Sequence, residues 1–248
     1  MNKTIKGILI GIGVLVLVLA AIMGGFYFKM KSEIKDMHVL ETRQVTTGVY
    51  SIKDSFVNMF LVQDSDKYID VDAGADVATI RKELRTLKID SSKVVAVFLT
   101  HGDGDHTAAL SMFKEAKIYL SKDEEQMING KTAKKLFFHN SISRKDYTLL
   151  EDQQLLKVGN TTVKCIMTPG HTPGSMSYQI NDSLLFVGDA FGLNHGKVIK
   201  PNEFFSKDMS LAIKSFDKIS NLPTVKYIFT AHTGFSCEYK DAVKTKLK

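Results

Sequence analysis

Hydrophobic and polar positions change rhythm several times along the chain, and the first change is the largest. Gly7 to Phe28 is an uninterrupted apolar run without a charged residue. At about 1.5 Å per helical residue it reaches roughly 33 Å, enough to cross a hydrocarbon core. A cleaved leader has a shorter apolar stretch, and Leu19-Ala20-Ala21 puts a large side chain where a small one is wanted. A retained span is therefore expected, with a tail over 1–6, an anchor over 7–28, a polar linker over 29–41 and a body over 42–248. Lysines flank both ends of the run, so charge alone does not orient it. One span followed by a large C-terminal body favours a single-pass membrane protein with the body outside the cytoplasm.

Within the body, GVYSI, SFVNMFLVQ and KYIDVD read as short strands separated by turn residues. From Ala75 the period lengthens, with Val77, Ile80, Leu84 and Leu87 at helical spacing to about Lys88. KVVAVFLT, 93–100, is nearly all apolar and suits a strand buried on both faces. TAALSMFKEA then predicts a helix, AKIYL a strand, and 122–138 two short helical pieces. LLKVGN and TTVKCIM predict strands, SMSYQI and SLLFVG a hairpin across Asn181-Asp182, DMSLAIKSFDKIS a helix and VKYIFT a last strand. This alternation places the body in the α/β class, with helices covering sheets.

Charge changes the picture little. The net +6 sits mainly at the ends, on Lys3, Lys6, Lys29, Lys31 and Lys35 and on Lys240, Lys244, Lys246 and Lys248. Contact with a lipid bilayer is expected from this distribution, and no nucleic-acid partner. The two cysteines, Cys165 inside an apolar strand and Cys237 near the C-terminus, make neither a disulfide framework nor a cysteine-based zinc site.

The candidate chemistry lies where strands end. His101 follows FLT, His171 follows VKCIMT through Pro-Gly, Asp189 follows SLLFVG and His232 follows VKYIFTA. In a layered α/β protein such ends converge on one edge, where His and Asp together make a metal-site candidate. A lone histidine after a strand is more often a satisfied polar residue than a ligand, and His38, His139 and His195 take that reading. The other four histidines arrive with Asp103, Asp105 and Asp189 in matching contexts.

These residues resemble the metallo-β-lactamase superfamily of hydrolases. The resemblance is carried by THGDGDH at 100–106, TPGHTPGSMSY at 168–178, FVGDAF at 186–191 and TAHTG at 230–234, with IDVDAG at 69–74 as an early strand ending in Asp-x-Gly. It covers 45–236 and leaves the N-terminal span outside. It implies a four-layer αβ/βα sandwich with two divalent metal ions at one edge. His101, Asp103 and His171 would hold the first ion; Asp105, His106 and His232 the second. Asp189 would bridge them, and Asp72 would orient a ligand. Gly102 and Gly104 allow a tight backbone path between ligands.

Asp103 departs from the pattern, because most members carry histidine there. The extra carboxylate makes the ions less electrophilic and favours iron or manganese over the family's zinc. It also resembles the branches of iron-binding flavoproteins and of the nuclease-like domain of DNA-uptake proteins. The implied reaction is hydrolysis by hydroxide held between the ions, with Asp105 also able to pass a proton to the leaving group. TPGHTPGS resembles the lactonase and glyoxalase II-like branch, so a small-molecule ester, thioester or lactone is the expected substrate. Full glyoxalase II activity would need a C-terminal helical domain beyond His232, and the best-known class B β-lactamases carry Cys where Asp189 stands. The competing readings are an iron-dependent redox or dioxygenase-type enzyme and a non-catalytic metal-binding membrane protein. Ser121 to Thr148, with Lys131, Lys134, Lys135, Arg144 and Lys145, reads either as a basic pocket wall or as a solvated helical surface.

Overall fold

A computed structural model of the chain describes residues 2–135 and 138–247. It divides into two compact units, Met1–Met37 and His38–Lys248. The first is helix α1, Lys3–Lys35, started by the Asn2 side chain, which accepts from the Thr4 N–H at 3.3 Å. Its apolar side chains from Ile5 to Phe28 are exposed, and by length and composition the helix can cross a membrane. The expected linker is helical as far as Lys35. Its last residues bond to the second unit's own strands: His38 N–H donates to the His232 carbonyl at 2.8 Å, and Leu40 exchanges two hydrogen bonds with the Asn58 side chain.

The second unit contains β1 (Arg43–Thr46), β2 (Val49–Asp54), β3 (Val57–Asp64), β4 (Lys67–Val71), α2 (Val77–Thr86), β5 (Val94–Phe98), α3 (Gly104–Thr107), β6 (Lys117–Ser121) and α4 (Glu125–Ile128). Then come β7 (Asn129–Lys135), β8 (Phe138–Ser141), β9 (Tyr147–Leu150), β10 (Leu155–Val158), β11 (Thr161–Met167), β12 (Met176–Ile180) and β13 (Leu184–Phe186). The rest is β14 (Gly192–Asn194), β15 (Lys197–Ile199), α5 (Met209–Ile219), β16 (Tyr227–Thr230), β17 (Gly234–Ser236) and α6 (Tyr239–Ala242). One sheet runs β1-β2-β3-β4-β5-β6-β9, and the other β10-β11-β12-β13-β16-β17.

Side-chain alternation along the strands explains the layering. Ala96 and Phe98 of β5 join Phe60, Tyr178, Phe186 and Phe229 in a core between the two sheets, while Val97 and Leu99 turn to α2 and its Ile80 and Leu84. On the far side, Ile166, Leu185 and Ile228 pack under Phe216 and Ile219 of α5 and Tyr239 of α6. The result is the expected four-layer αβ/βα sandwich. Local signals agree with it. Asp76 and Asp208 cap α2 and α5, accepting from Thr79 N–H and Leu211 N–H at 2.8 Å each. Asn181 and Asp182 take left-handed conformations in the three-residue connection, 181–183, of the β12-β13 hairpin.

Two expectations need correcting. TAALSMFKEA is only the short α3 followed by a 3₁₀ segment, Ala108–Met112; the helix begins earlier, at Gly104, so that it already carries Asp105 and His106. Two helical pieces were expected over 122–138, but a 3₁₀ turn and α4 end at Ile128 and the hairpin β7-β8 follows, with residues 136 and 137 outside the described residues. Gly130 at φ 78° turns the chain out of α4.

One core position runs against the pattern. Ile69 and Val71 face the inter-sheet core, so alternation turns Asp70 to the helix-covered face. There it is fully buried, and neither carboxylate oxygen has a hydrogen-bond partner. Burial, then the nearby Asp72 charge, push its pKa well above the usual carboxylate range. A raised folded-state pKa means that this group's stabilising contribution is complete below the unfolded value of about 3.9 and is lost as pH rises through the folded value. Asp70→Val should therefore stabilise the chain by about 1–3 kcal/mol near neutral pH. Thermal unfolding followed by circular dichroism should give a larger gain at about pH 8 than at about pH 5; an equal or lower melting temperature at both would contradict this account.

Candidate metal centre

All seven residues expected as ligands come together, at the edge where β5, β11, β13 and β16 end. The loop after β5 supplies His101 and Asp103, and α3 supplies Asp105 and His106. His171, Asp189 and His232 follow β11, β13 and β16. Their donor atoms fall into two groups. His101 Nε2 and His171 Nε2 lie 3.4 and 3.2 Å from Asp103 Oδ2. His106 Nε2 and His232 Nε2 lie 3.6 and 3.5 Å from Asp105 Oδ2. Asp189 stands between them. Its Oδ2 is 4.0 Å from His101 Nε2, 3.5 Å from His171 Nε2 and 3.2 Å from His232 Nε2; its Oδ1 is 3.3 Å from His106 Nε2 and 3.0 Å from His232 Nε2.

What aims the four Nε2 atoms at one place is the use made of each Nδ1. His106 Nδ1 meets Asp72 Oδ2 at 2.9 Å, and His232 Nδ1 meets the Phe56 carbonyl at 2.6 Å. Both partners only accept, so Nδ1 carries a hydrogen and Nε2 is the ring atom turned to the cluster. His101 Nδ1 meets Thr100 Oγ1 at 3.1 Å, and that hydroxyl in turn donates to Asp72. His171 Nδ1 meets Ser206 Oγ at 3.4 Å. Asp72 thus orients two imidazoles, one directly and one through Thr100. It does so at φ 65°, a left-handed turn that is rare outside glycine.

The donor set fits divalent cations. His101 Nε2, His106 Nε2 and Asp189 Oδ1 are buried without any hydrogen-bond partner, and orphaned atoms of this kind are costly unless something positive binds them. They are three of the donor atoms the grouping assigns. The ionisation pattern agrees. Burial raises the pKa of Asp189, but His232, His106 and His171 outweigh it and hold the carboxylate well below its usual range. At Asp103, burial is likewise outweighed by His101, His171 and Lys134. Burial lowers the pKa of His106 and His232, yet Asp72, Asp105 and Asp189 around the first and Asp189 and Asp105 around the second turn the shift upward. Burial, reinforced by Lys134, lowers His171 to about 4, so its Nε2 lone pair is free at neutral pH.

Several contributors carry no sequence signal. Glu124, fully buried, accepts from Gly102 N–H at 2.7 Å and, through its other oxygen, from Thr172 Oγ1 at 2.7 Å and Gly174 N–H at 3.0 Å. It ties the His101 loop to the His171 loop, a role set by contacts 22 and 50 residues away. Gly102 permits this approach, since a Cβ there would stand 2.5 Å from Ile128; Gly104 faces open space. Of the basic residues in the 121–148 segment, Arg144 pairs with Asp146 and Lys131 and Lys145 are exposed, whereas Lys134 enters the site. His139 and His195 are exposed and take no part.

Comparisons with known proteins agree with this geometry. The chain is 32% identical over 135 residues to the probable polyketide biosynthesis zinc-dependent hydrolase PksB of Bacillus subtilis (strain 168), covering 52% of this chain and 53% of that protein. It is 33% identical over 138 residues to a hydroxyacylglutathione hydrolase of Bartonella henselae, covering 55% of this chain and 47% of that one. The match thus spans about half the length of these curated relatives. Among solved structures, the BLEG-1 B3 metallo-beta-lactamase superposes with a TM-score of 0.63 at 22% identity, over 78% of this chain and 95% of the other, which shows the shared fold. The profile of the metallo-beta-lactamase superfamily matches residues 52–232, a stretch that begins in β2 and ends on the last histidine of the site. The chain belongs to the metallo-beta-lactamase superfamily.

Proposed function

We propose that this chain is a membrane-anchored, metal-dependent hydrolase acting on an ester, thioester, lactone or related small molecule. The observation that carries the reading is the place of Asp189 between two groups: its carboxylate lies within 4.0 Å of the Nε2 atoms of His101 and His171, which share Asp103, and within 3.3 Å of those of His106 and His232, which share Asp105. His101, Asp103 and His171 would hold one divalent ion, Asp105, His106 and His232 the other, with Asp189 shared. Ions held there would supply Lewis acidity and make water a nucleophile at neutral pH. The chain's own residues do the rest. Asp72, Thr100, Phe56 and Ser206 keep the imidazoles aimed. Asp105 is the most accessible of the three carboxylates, at 22% against 17% and 13% for Asp103 and Asp189, and so is placed to pass a proton to a leaving group.

The carboxylate at Asp103 supports iron or manganese as occupants beside the zinc that the PksB description names. The relatives named as hydroxyacylglutathione hydrolases support an acyl compound as substrate. Residues 42–248 would form the hydrolase domain and 7–28 the anchor, with the domain outside the cytoplasm. The exposed apolar surface of α1 supports the anchor.

Asp189→Ala should lower hydrolysis of a responsive ester, thioester or lactone by about a thousandfold, while a chelator should abolish it and a divalent ion restore it. Full activity of the variant, or indifference to chelation, would refute the reading. Asp103→His should shift the metals bound on purification towards zinc, read by elemental analysis; unchanged metal content and unchanged activity together would show that this carboxylate tunes nothing.

A further inference from the structure

The hairpin β7-β8 places a positive charge inside the first ligand group. Lys134 Nζ lies 2.6 Å from Asp103 Oδ2 and 2.8 Å from His171 Nε2. Asn140, on the facing strand, donates to the other Asp103 oxygen at 3.0 Å. Lys134 is 12% exposed, so this is an ammonium taken largely out of water rather than a surface ion pair. The atoms it binds are the same Asp103 oxygen and His171 nitrogen that the metal reading assigns to the first ion.

The contact is exclusive for a chemical reason. An ammonium has only hydrogens to offer, so His171 Nε2 must be the acceptor, and a neutral imidazole has one lone pair at that atom. It can receive a Lys134 hydrogen or bind a metal, and never both. The second group has no such competitor among the described residues: Asp105, His106 and His232 contact one another and Asp189. Charge points the same way. One divalent ion and one ammonium neutralise the three carboxylates of the cluster, whereas two divalent ions beside an unmoved ammonium overshoot.

We propose that Lys134 is a built-in cation for the first half of the site. The chain takes one divalent ion tightly at Asp105, His106, His232 and Asp189, and admits a second at His101, Asp103 and His171 only when the hairpin withdraws Lys134. The inference rests on the metal-site reading above and adds an order and an inequality to it. It also makes the hairpin a determinant of metal content, and not merely of pocket shape.

The test is calorimetric titration of Zn²⁺ into the chelator-stripped full chain in detergent micelles, with bound zinc counted by elemental analysis. The wild-type chain should show two events whose affinities differ by about a hundredfold or more, the scale of a buried charge pair. Lys134→Met should tighten the weaker event by about tenfold or more and leave the tighter one nearly unchanged. Lys134→Gln should do the same if the Met variant misfolds by circular dichroism, and the exposed Lys131→Met should change neither. Two equal events in the wild-type chain, or a weak event that Lys134 substitutions do not move, would overturn the proposal while leaving the metal site standing. No zinc uptake by any form would overturn both.

Discussion

The candidate site depends on a constraint imposed from behind it: each of its four imidazoles is held by its Nδ1, so that its Nε2 points inward. Asp72 is the hub of that arrangement. The parallel pairing of β4 and β5, with Val71 opposite Phe98, brings the two strand ends level, and Asp72 N–H donates to the Phe98 carbonyl. From there its carboxylate reaches the Thr100 backbone and hydroxyl and the His106 ring together. A shift in register would separate these partners, and with them two of the four histidines.

The same edge is closed from the second sheet. Tyr178 on β12 donates through its hydroxyl to the Leu99 carbonyl at 2.7 Å, and Met176 N–H donates to the Thr100 carbonyl at 2.9 Å. Glu124 then joins the two ligand loops above these contacts. The candidate ligands outside α3 therefore sit on loops, but loops anchored on both sides by buried polar contacts, which keep donor atoms close without collapse. Asp70 shows the contrast: a buried carboxyl two residues before Asp72, in β4, with no side-chain partner.

Much of this was legible in the sequence because metal chemistry needs rare residue types at strand ends. His101, Asp103, Asp105, His106, His171, Asp189 and His232 stand out by type and context, and the strands that carry them are apolar and β-branched enough to be read. What escaped depends on distance or on weak local pattern. Glu124 looks like any acid in a charged stretch until the fold brings Gly102 and Gly174 to it. The β7-β8 hairpin escaped because a Lys-rich segment such as KTAKK has no apolar period, and its strand character comes from pairing with 138–141. Lys134 was visible only as one of several basic residues; its difference from exposed Lys131 is wholly tertiary.

The stretch from His38 to Glu41 is stitched into the body: His38 bonds to the backbone of His232, Leu40 to Asn58, and the Glu41 carbonyl accepts from Ser51 Oγ at 2.6 Å. The last histidine of the site is thus backed by the segment through which the chain enters the domain. A protease that frees the domain by cutting before His38 would leave that backing in place. A cut only a few residues later would leave a body whose His232 loop had lost a backbone partner, so the position of the cut would decide whether the truncated chain keeps that loop backed.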